Sequence, residues 1–227
     1  MAAVRVQPLN CANIAIRLRR SSIVWSTLDD ARWADMTRSN PRLHDGPMAF
    51  ALDWNDSEIV GEVSGYRRLM LRKERQDRAL AIGVTGMLTR RNGAEILMGR
   101  RSESVRIYGG LWETAPRGGL DAAPPTGDGE ICLGLHDLAS RAADEAREEV
   151  GLSIDPSSLR AVALVIDEGA GSLDVVLSGE IETVASEPAS WEYSAIGWAA
   201  RGNLGAIGPL SPPTAALAEW LSLSSSC

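Results

Sequence analysis

Cysteine is scarce in this chain. Cys11, Cys132 and Cys227 are scattered over 227 residues, with neither metal-ligand spacing nor the even count of a disulfide framework. A reducing compartment is therefore expected. No segment approaches the roughly 20 consecutive apolar residues of a membrane-spanning helix, and residues 1–20 hold Arg5, Arg17, Arg19 and Arg20 without a sustained apolar stretch. These absences predict a cytoplasmic protein without a membrane partner. The net charge of −7 lacks the basic excess of a surface built for duplex nucleic acid. No internal repeat is visible, and His44 and His136 have no partners at metal or triad spacing. What remains is ordinary globular usage, 44% hydrophobic and 23% charged, enough to bury a core in one domain or one domain plus an extension.

Two regions emerge along the chain. Residues 1–77 read as a small α+β extension. Residues 14–18, 22–25 and 48–54 are strand-like, 29–36 is a helix candidate, and 66–73 is a short basic helix. The charged run 72–78 reads as a solvated connector. Beyond it, Asn92-Gly93 separates two apolar-rich runs, 79–90 and 94–100, which predicts a hairpin. Residues 111–115 give a short strand, and Gly118-Gly119 are expected to turn the chain sharply. Residues 122–130 are loop-like. A helix is predicted over 138–150, with Ala139, Ala142, Ala143, Ala146 and Val150 on its packing side and Gly151 as its stop. Strands are expected over 159–166, 173–181 and 195–199, and a closing helix over 214–223. Strands on both sides of a central helix predict the α/β class.

The chemistry concentrates in Arg141-Ala-Ala-Asp-Glu-Ala-Arg-Glu-Glu-Val-Gly-Leu152. Glu145, Glu148 and Glu149 stand at i, i+3 and i+4, neighbours on a helix surface, where their mutual repulsion calls for protons, bases or a metal ion. Magnesium-type ions prefer such oxygen ligands and keep several waters. The competing reading is a solvated face on which Arg141 and Arg147 neutralise their neighbours.

With Arg117-Gly-Gly-Leu-Asp121 upstream and strand-like segments on both sides, this run resembles the box of the Nudix hydrolase family, Gly-x5-Glu-x7-Arg-Glu-U-x-Glu-Glu-x-Gly-U, where U is aliphatic. Glu145, Ala146, Arg147, Glu148, Glu149, Val150, Gly151 and Leu152 each take a motif position. Asp144 stands where the family has an arginine that orients a catalytic glutamate, and Arg141, one helical turn from Glu145, is the candidate substitute. Gly119 and Glu145 are 26 positions apart in place of the family's 15, an insertion of about eleven residues that leaves the first box glutamate without a counterpart. Asn40-Pro-Arg-Leu-His-Asp-Gly-Pro47, followed by Gly65-Tyr-Arg67, is similar to the extension ahead of the box in a subgroup acting on nucleoside-diphosphate sugars.

The resemblance implies a Nudix-like α/β/α sandwich with mixed sheet over 78–227, preceded by the 1–77 extension. It implies Mg2+ or Mn2+ held by Glu145, Glu148 and Glu149, with the Gly119 carbonyl as an extra ligand. The implied reaction cleaves a nucleoside diphosphate linked to another moiety, a nucleotide sugar among them, to a nucleoside monophosphate and a phosphorylated product. The general base is either a box glutamate or a distal one; Glu192 is the distal candidate, against the plainer reading of an exposed loop acid. Arg100 and Arg101 are phosphate-binding candidates or surface arginines, Glu113 a substrate-facing candidate, and Trp191 a stacking platform for a base or a packing residue, as is Tyr193. A homodimer is expected from the family's habit. Asp144 and the interrupted box motivate a rival, a nucleotide-binding or regulatory module that no longer cleaves. An isomerase acting on a prenyl diphosphate ranks behind both, because it needs a cysteine and a glutamate facing a small apolar pocket and no cysteine here is so placed.

Overall fold

A computed structural model describes residues 4–10, 13–182 and 187–224. Cys11 and Cys227 fall outside them; Cys132 is an exposed free thiol. The chain opens with strands β1 (Val4–Pro8) and β2 (Ala15–Arg20) and helix α1 (Thr27–Ser39). The Ser26 hydroxyl accepts from the Asp29 amide while the Asp29 carboxylate accepts from the Ser26 amide, a reciprocal cap that fixes where α1 starts. Strands β3 (Pro47–Trp54) and β4 (Glu58–Gly65) and a single helical turn, α2 (Arg67–Met70), complete the first third. There follow β5 (Leu80–Arg90), β6 (Glu95–Arg101), β7 (Trp112–Thr114), β8 (Arg117–Gly119), β9 (Glu130–Leu133), α3 (Leu135–Val150), β10 (Arg160–Asp167), β11 (Ser172–Glu180), β12 (Tyr193–Ala200) and α4 (Pro212–Ser224).

Among the described residues these twelve strands make one mixed sheet, with β5 as its axis. One edge of β5 runs parallel to β11 along Ala81–Thr89, and the other is taken in turn by β3, β8 and β6, all antiparallel. A strand enclosed on both edges and both faces has no solvent side, which is why Leu80 to Thr89 is buried without a break. The pleat then sorts side chains by parity. Val84, Leu88, Leu164, Ile166, Val175 and Leu177 pack with Ala139, Ala142, Ala146 and Val150 of α3. Their alternates Met87, Ala163, Val165 and Val176 pack with Leu217 and Leu221 of α4. With one set of side chains packed on α3 and the alternate set on α4, the pleated sheet lies between two helical layers, an α/β/α sandwich with a mixed sheet, as the resemblance implied. No helix among the described residues is long and apolar enough to cross a membrane.

Strands from either side of residue 77 share this sheet: β1 pairs β10, β2 pairs β9 and β3 pairs β5. The expected junction lies in the turn between α2 and β5. Several local expectations are corrected. Residues 22–25 form no strand; Trp25 is instead held by the Arg67 and Arg75 guanidinium groups, 4.0 and 5.0 Å from its ring centroid. The 72–78 run is more than a solvated connector, because Arg72 donates to the Ala79 and Glu168 carbonyls and Arg75 pairs with Asp29. Gly118 and Gly119 do not turn the chain; they are paired in β8 against Val84 and Gly83. The loop-like insertion runs into β9, which pairs along β2 from Ile16 to Arg19. Helix α3 begins at Leu135, three residues before expectation, because the Asp137 carboxylate accepts from the Gly134 amide and caps an extra turn.

Arg68 of α2 fastens the first third of the chain. It is buried between Glu62 of β4, at 2.5 Å, and Asp77, at 2.7 Å. Removing the one cation strands two carboxylates in a poorly hydrated place. Arg68→Met is expected to lower the stability measured by urea unfolding at pH 7 by about 3 kcal/mol, whereas Arg38→Met in the exposed Arg38–Asp35 pair should change it by under about 0.5 kcal/mol.

Candidate active site

Helix α3 turns one face to the sheet, and that face carries two acids among its alanines. Leu138, Ala139, Ala142, Glu145, Ala146, Glu149 and Val150 are buried. Ala143, expected on this side, is only half-buried, and Glu148 is exposed. The expected trio is therefore divided by the edge of the helix: Glu145 and Glu149 point inward, one turn apart, while Glu148 faces solvent. Gly151, at φ +69°, ends the helix in the left-handed region that a side chain would disfavour.

Strand β8 receives the two buried acids. Its central glycine has no room for a side chain, since a Cβ on Gly118 would lie 1.7 Å from Glu145 Oε1. The need for glycine here is close approach of helix to strand and not a turn. The neighbouring Arg117 amide donates to Glu149 Oε2 at 2.8 Å. Arg141, one turn before Glu145, donates through Nε to the Gly119 carbonyl at 2.9 Å and forms an ion pair with Glu145 Oε1 through its terminal Nη2. Asp144, in the position where the resemblance calls for arginine, instead pairs outward with Arg147 at 2.9 Å.

A cavity of about 530 Å3 opens beside these groups, over the first residues of β5 and β11. Of the residues expected at the site, Gly119, Glu145, Arg101, Trp191 and Glu192 line it. Glu149 sits behind Glu145 and Glu148 outside; neither is part of the wall. Arg100 points elsewhere, donating to the Gly110 carbonyl at 3.1 Å. Glu113, expected to face substrate, is buried and engaged by Arg101 at 2.5 Å, Arg117 at 3.5 Å and the Tyr193 hydroxyl at 3.1 Å. Tyr193 is thus a buried packing residue; Trp191 is 59% exposed, with the Arg42 guanidinium 5.7 Å from its ring centroid.

Other lining groups were not singled out from sequence: Arg42, Arg106, Asp121 and Asp174. They come from loops and strand ends far apart in the chain and carry no common spacing. The signals were the phrase at 40–47, of which Arg42, Leu43, His44 and Gly46 reach the wall, and the segment 117–121, which ends in Asp121. His44, given no role from sequence, is among them.

Electrostatics at the site is dominated by burial of like charges. Burial lifts Glu145 to about 7 despite the opposing pull of Arg141, with Glu148, Glu192 and Asp121 adding to the rise. Glu149 is pushed up to about 9, chiefly by burial and against the Arg117 amide bond, with Glu145, Glu192 and Glu113 adding to it. Burial also raises Glu192, with Arg101 opposing it. Beneath them, burial works against the Arg117 charge, but Asp174 and Glu113 outweigh it and hold the guanidinium more firmly protonated than usual. No group of three His, Cys, Asp or Glu side chains among the described residues is arranged to hold a metal ion, because Glu148 stands apart and Arg141 occupies Glu145. The donor chemistry itself, carboxylate and carbonyl oxygens with excess negative charge, suits a hard divalent cation that completes its shell with waters and substrate oxygens.

No family model and no curated protein matches this chain. Solved structures similar to it include the MutT protein of Methanosarcina mazei Go1, 18% identical, which covers 65% of this chain and 96% of its own with a TM-score of 0.47. The NUDIX domain of Shewanella oneidensis NrtR, solved with ADP ribose, is 16% identical, covering 65% of this chain and 89% of its own at a TM-score of 0.48. A MutT NUDIX hydrolase from Burkholderia pseudomallei is 24% identical over 61% of this chain and 95% of its own, with a TM-score of 0.42.

The raised carboxylates make a stability prediction whose sign follows from linkage. An unfolded Glu149 titrates near its ordinary value of 4.5, the folded one near 9. Between those limits the folded state retains a proton that the unfolded state releases, so the contribution of Glu149 to stability falls as pH rises across the window. Below pH 4.5 there is no penalty. In the presence of a chelator, Glu149→Gln should therefore melt higher than the parent at pH 8, by roughly 4 to 8 °C, the response to about 2 kcal/mol in a chain of this size. Thermal scans should show the gap closing towards pH 4.5.

Proposed function

We propose that this chain is a metal-dependent hydrolase of the Nudix type, cleaving the diphosphate of a nucleoside diphosphate linked to another moiety. The products are a nucleoside monophosphate and a phosphorylated partner, and nucleotide sugars are the substrate class to which the 40–47 phrase points. The observation that carries the reading is the meeting of Glu145 and Glu192, from α3 and a distal loop, with the Gly119 carbonyl and the Arg42, Arg106 and Arg141 side chains around one cavity. Residues 78–227 form the catalytic domain in this reading, with 1–77 as the extension that walls its cavity; a cytoplasmic location and a homodimer belong to the same reading.

Each residue then has a task. Glu145 and Glu149, joined by Glu148 from the solvent side of α3, would supply carboxylate oxygens to Mg2+ or Mn2+, and Gly119 would add a carbonyl. A bound ion of this kind supplies charge neutralisation on the diphosphate and a lowered pKa for the attacking water. Glu192, which lines the cavity from a loop distal to α3 and whose carboxyl burial raises above its ordinary value, is the general base. Arg106 and Arg42 meet phosphate oxygens, since a guanidinium presents a planar fork of donors. Trp191 offers its exposed face to a planar base at the cavity mouth. Arg101 and Glu113 position Tyr193 and the floor and leave substrate contacts to others.

A second reading, a module that binds a nucleotide without cleaving it, is favoured by the Arg141 contacts, which engage Glu145 and the Gly119 carbonyl together. Incubation with nucleotide sugars, dinucleotides and nucleoside triphosphates in Mg2+ and Mn2+, with products identified by mass, separates the two. Cleavage of one diphosphate class is expected. Glu148→Gln and Glu149→Gln should each keep the fold by circular dichroism and lose at least about 100-fold in turnover, the scale on which removal of a reacting-centre stabiliser acts. Full metal-dependent turnover in both variants would remove the assignment.

A further inference from the structure

We propose that the Arg141 guanidinium is a built-in cation seated at the metal position, so that a divalent ion enters this site only by displacing it. The inference rests on the reading of Glu145 and the Gly119 carbonyl as metal ligands. Arg141 engages both at once, Nε donating to Gly119 O at 2.9 Å and the terminal nitrogen pairing with Glu145 Oε1. Each of these contacts places a cationic donor against an oxygen that the ion would use. Arg141 is the more exposed of the pair, its side chain 27% exposed against 9% for Glu145, and both residues line the cavity. Electrostatics gives the same answer, since a second cation at those oxygens faces repulsion at close range in a poorly hydrated place.

The position of the arginine matters. At Asp144 a guanidinium would lie on the side of α3 where Asp144 itself pairs with Arg147, exposed to solvent. At 141 it lies one turn before Glu145 on the inward side and reaches across to β8. Among the described residues the Arg141 guanidinium makes only these two polar contacts, so displacement needs only side-chain rotation. The cavity that Arg141 lines leaves it space to swing into, where a phosphate would give its fork of donors a new anion. Metal and diphosphate should therefore load together, each supplying what the other's arrival removes.

The test is binding of Mn2+ alone, followed by electron paramagnetic resonance, to the full-length wild-type chain and to Arg141→Ala, Arg141→Lys and Glu145→Gln. Arg141→Ala is expected to bind Mn2+ at least ten-fold more tightly than wild type, and Arg141→Lys, which keeps the charge but loses the fork, to fall between them. Glu145→Gln should bind more weakly than wild type. Unchanged or weaker Mn2+ binding in both Arg141 variants, with Glu145→Gln weakened, overturns the plug and leaves the metal site standing. Mn2+ bound by none of the proteins, or bound equally by Glu145→Gln and wild type, overturns the metal-site reading and the plug with it. Matching melting temperatures for the Lys variant and wild type keep the comparison free of unfolding.

Discussion

Two glutamates buried on the sheet-facing side of α3 are the constraint around which the rest of the site is arranged. Carboxylates are rarely buried without compensation, and here the compensation is assembled from β8 and from the helix itself. Gly118 leaves room for Glu145, the Arg117 amide meets Glu149, and Arg141 reaches back to hold both Glu145 and the Gly119 carbonyl. Compensation is incomplete, as the values of about 7 and about 9 for Glu145 and Glu149 show. An incompletely neutralised pair beside a cavity is poised to take up a proton or a cation, and that is the chemistry the site offers.

Rigidity under this pair comes from a buried chain of charges. Asp174 of β11, Arg117 of β8, Glu113 of β7 and Arg101 of β6 alternate in sign, so four strands are fastened through side chains as well as backbone. Buried ion pairs of this kind add little net stability over apolar packing, but once built they penalise any register that leaves one member unpaired. The same logic holds Arg68 between Glu62 and Asp77 under the first third of the chain. The cavity floor is thus fixed, while its mouth carries the exposed and less restrained Arg42, Arg106 and Trp191.

How much of this was legible depended on whether the signal was local. The apolar runs through residues 80–90, 160–167 and 172–180 and the alanine face of α3 are written in neighbouring residues, so the strands and the central helix followed from them. β4 was missed because Gly61, Glu62 and Gly65 interrupt its apolar pattern; Gly61 is required where the Phe50 carbonyl would lie 2.0 Å from a Cβ, and Glu62 is buried only because Arg68 meets it. β9 escaped notice because its reason to be extended is β2, more than a hundred residues earlier. Glu113 showed the opposite failure. It looked substrate-facing beside the glycine pair, yet three partners from different strands turn it into part of the floor.

By itself the sequence determined the α/β class, the place of the central helix and the identity of the acids upon it, because helical and strand patterns are read over a few residues and survive without knowledge of neighbours, while the layering came from the family resemblance. Only the tertiary structure decided which of those acids act together. Whether Glu145, Glu148 or Glu149 is inward depends on where the sheet meets the helix. Whether Arg141 neutralises one of them depends on how near β8 comes. Whether Arg42, Arg106 and Glu192 share a cavity depends on loops brought together across the fold. Burial and electrostatic coupling are properties of distances in space, and no spacing along the chain encodes them.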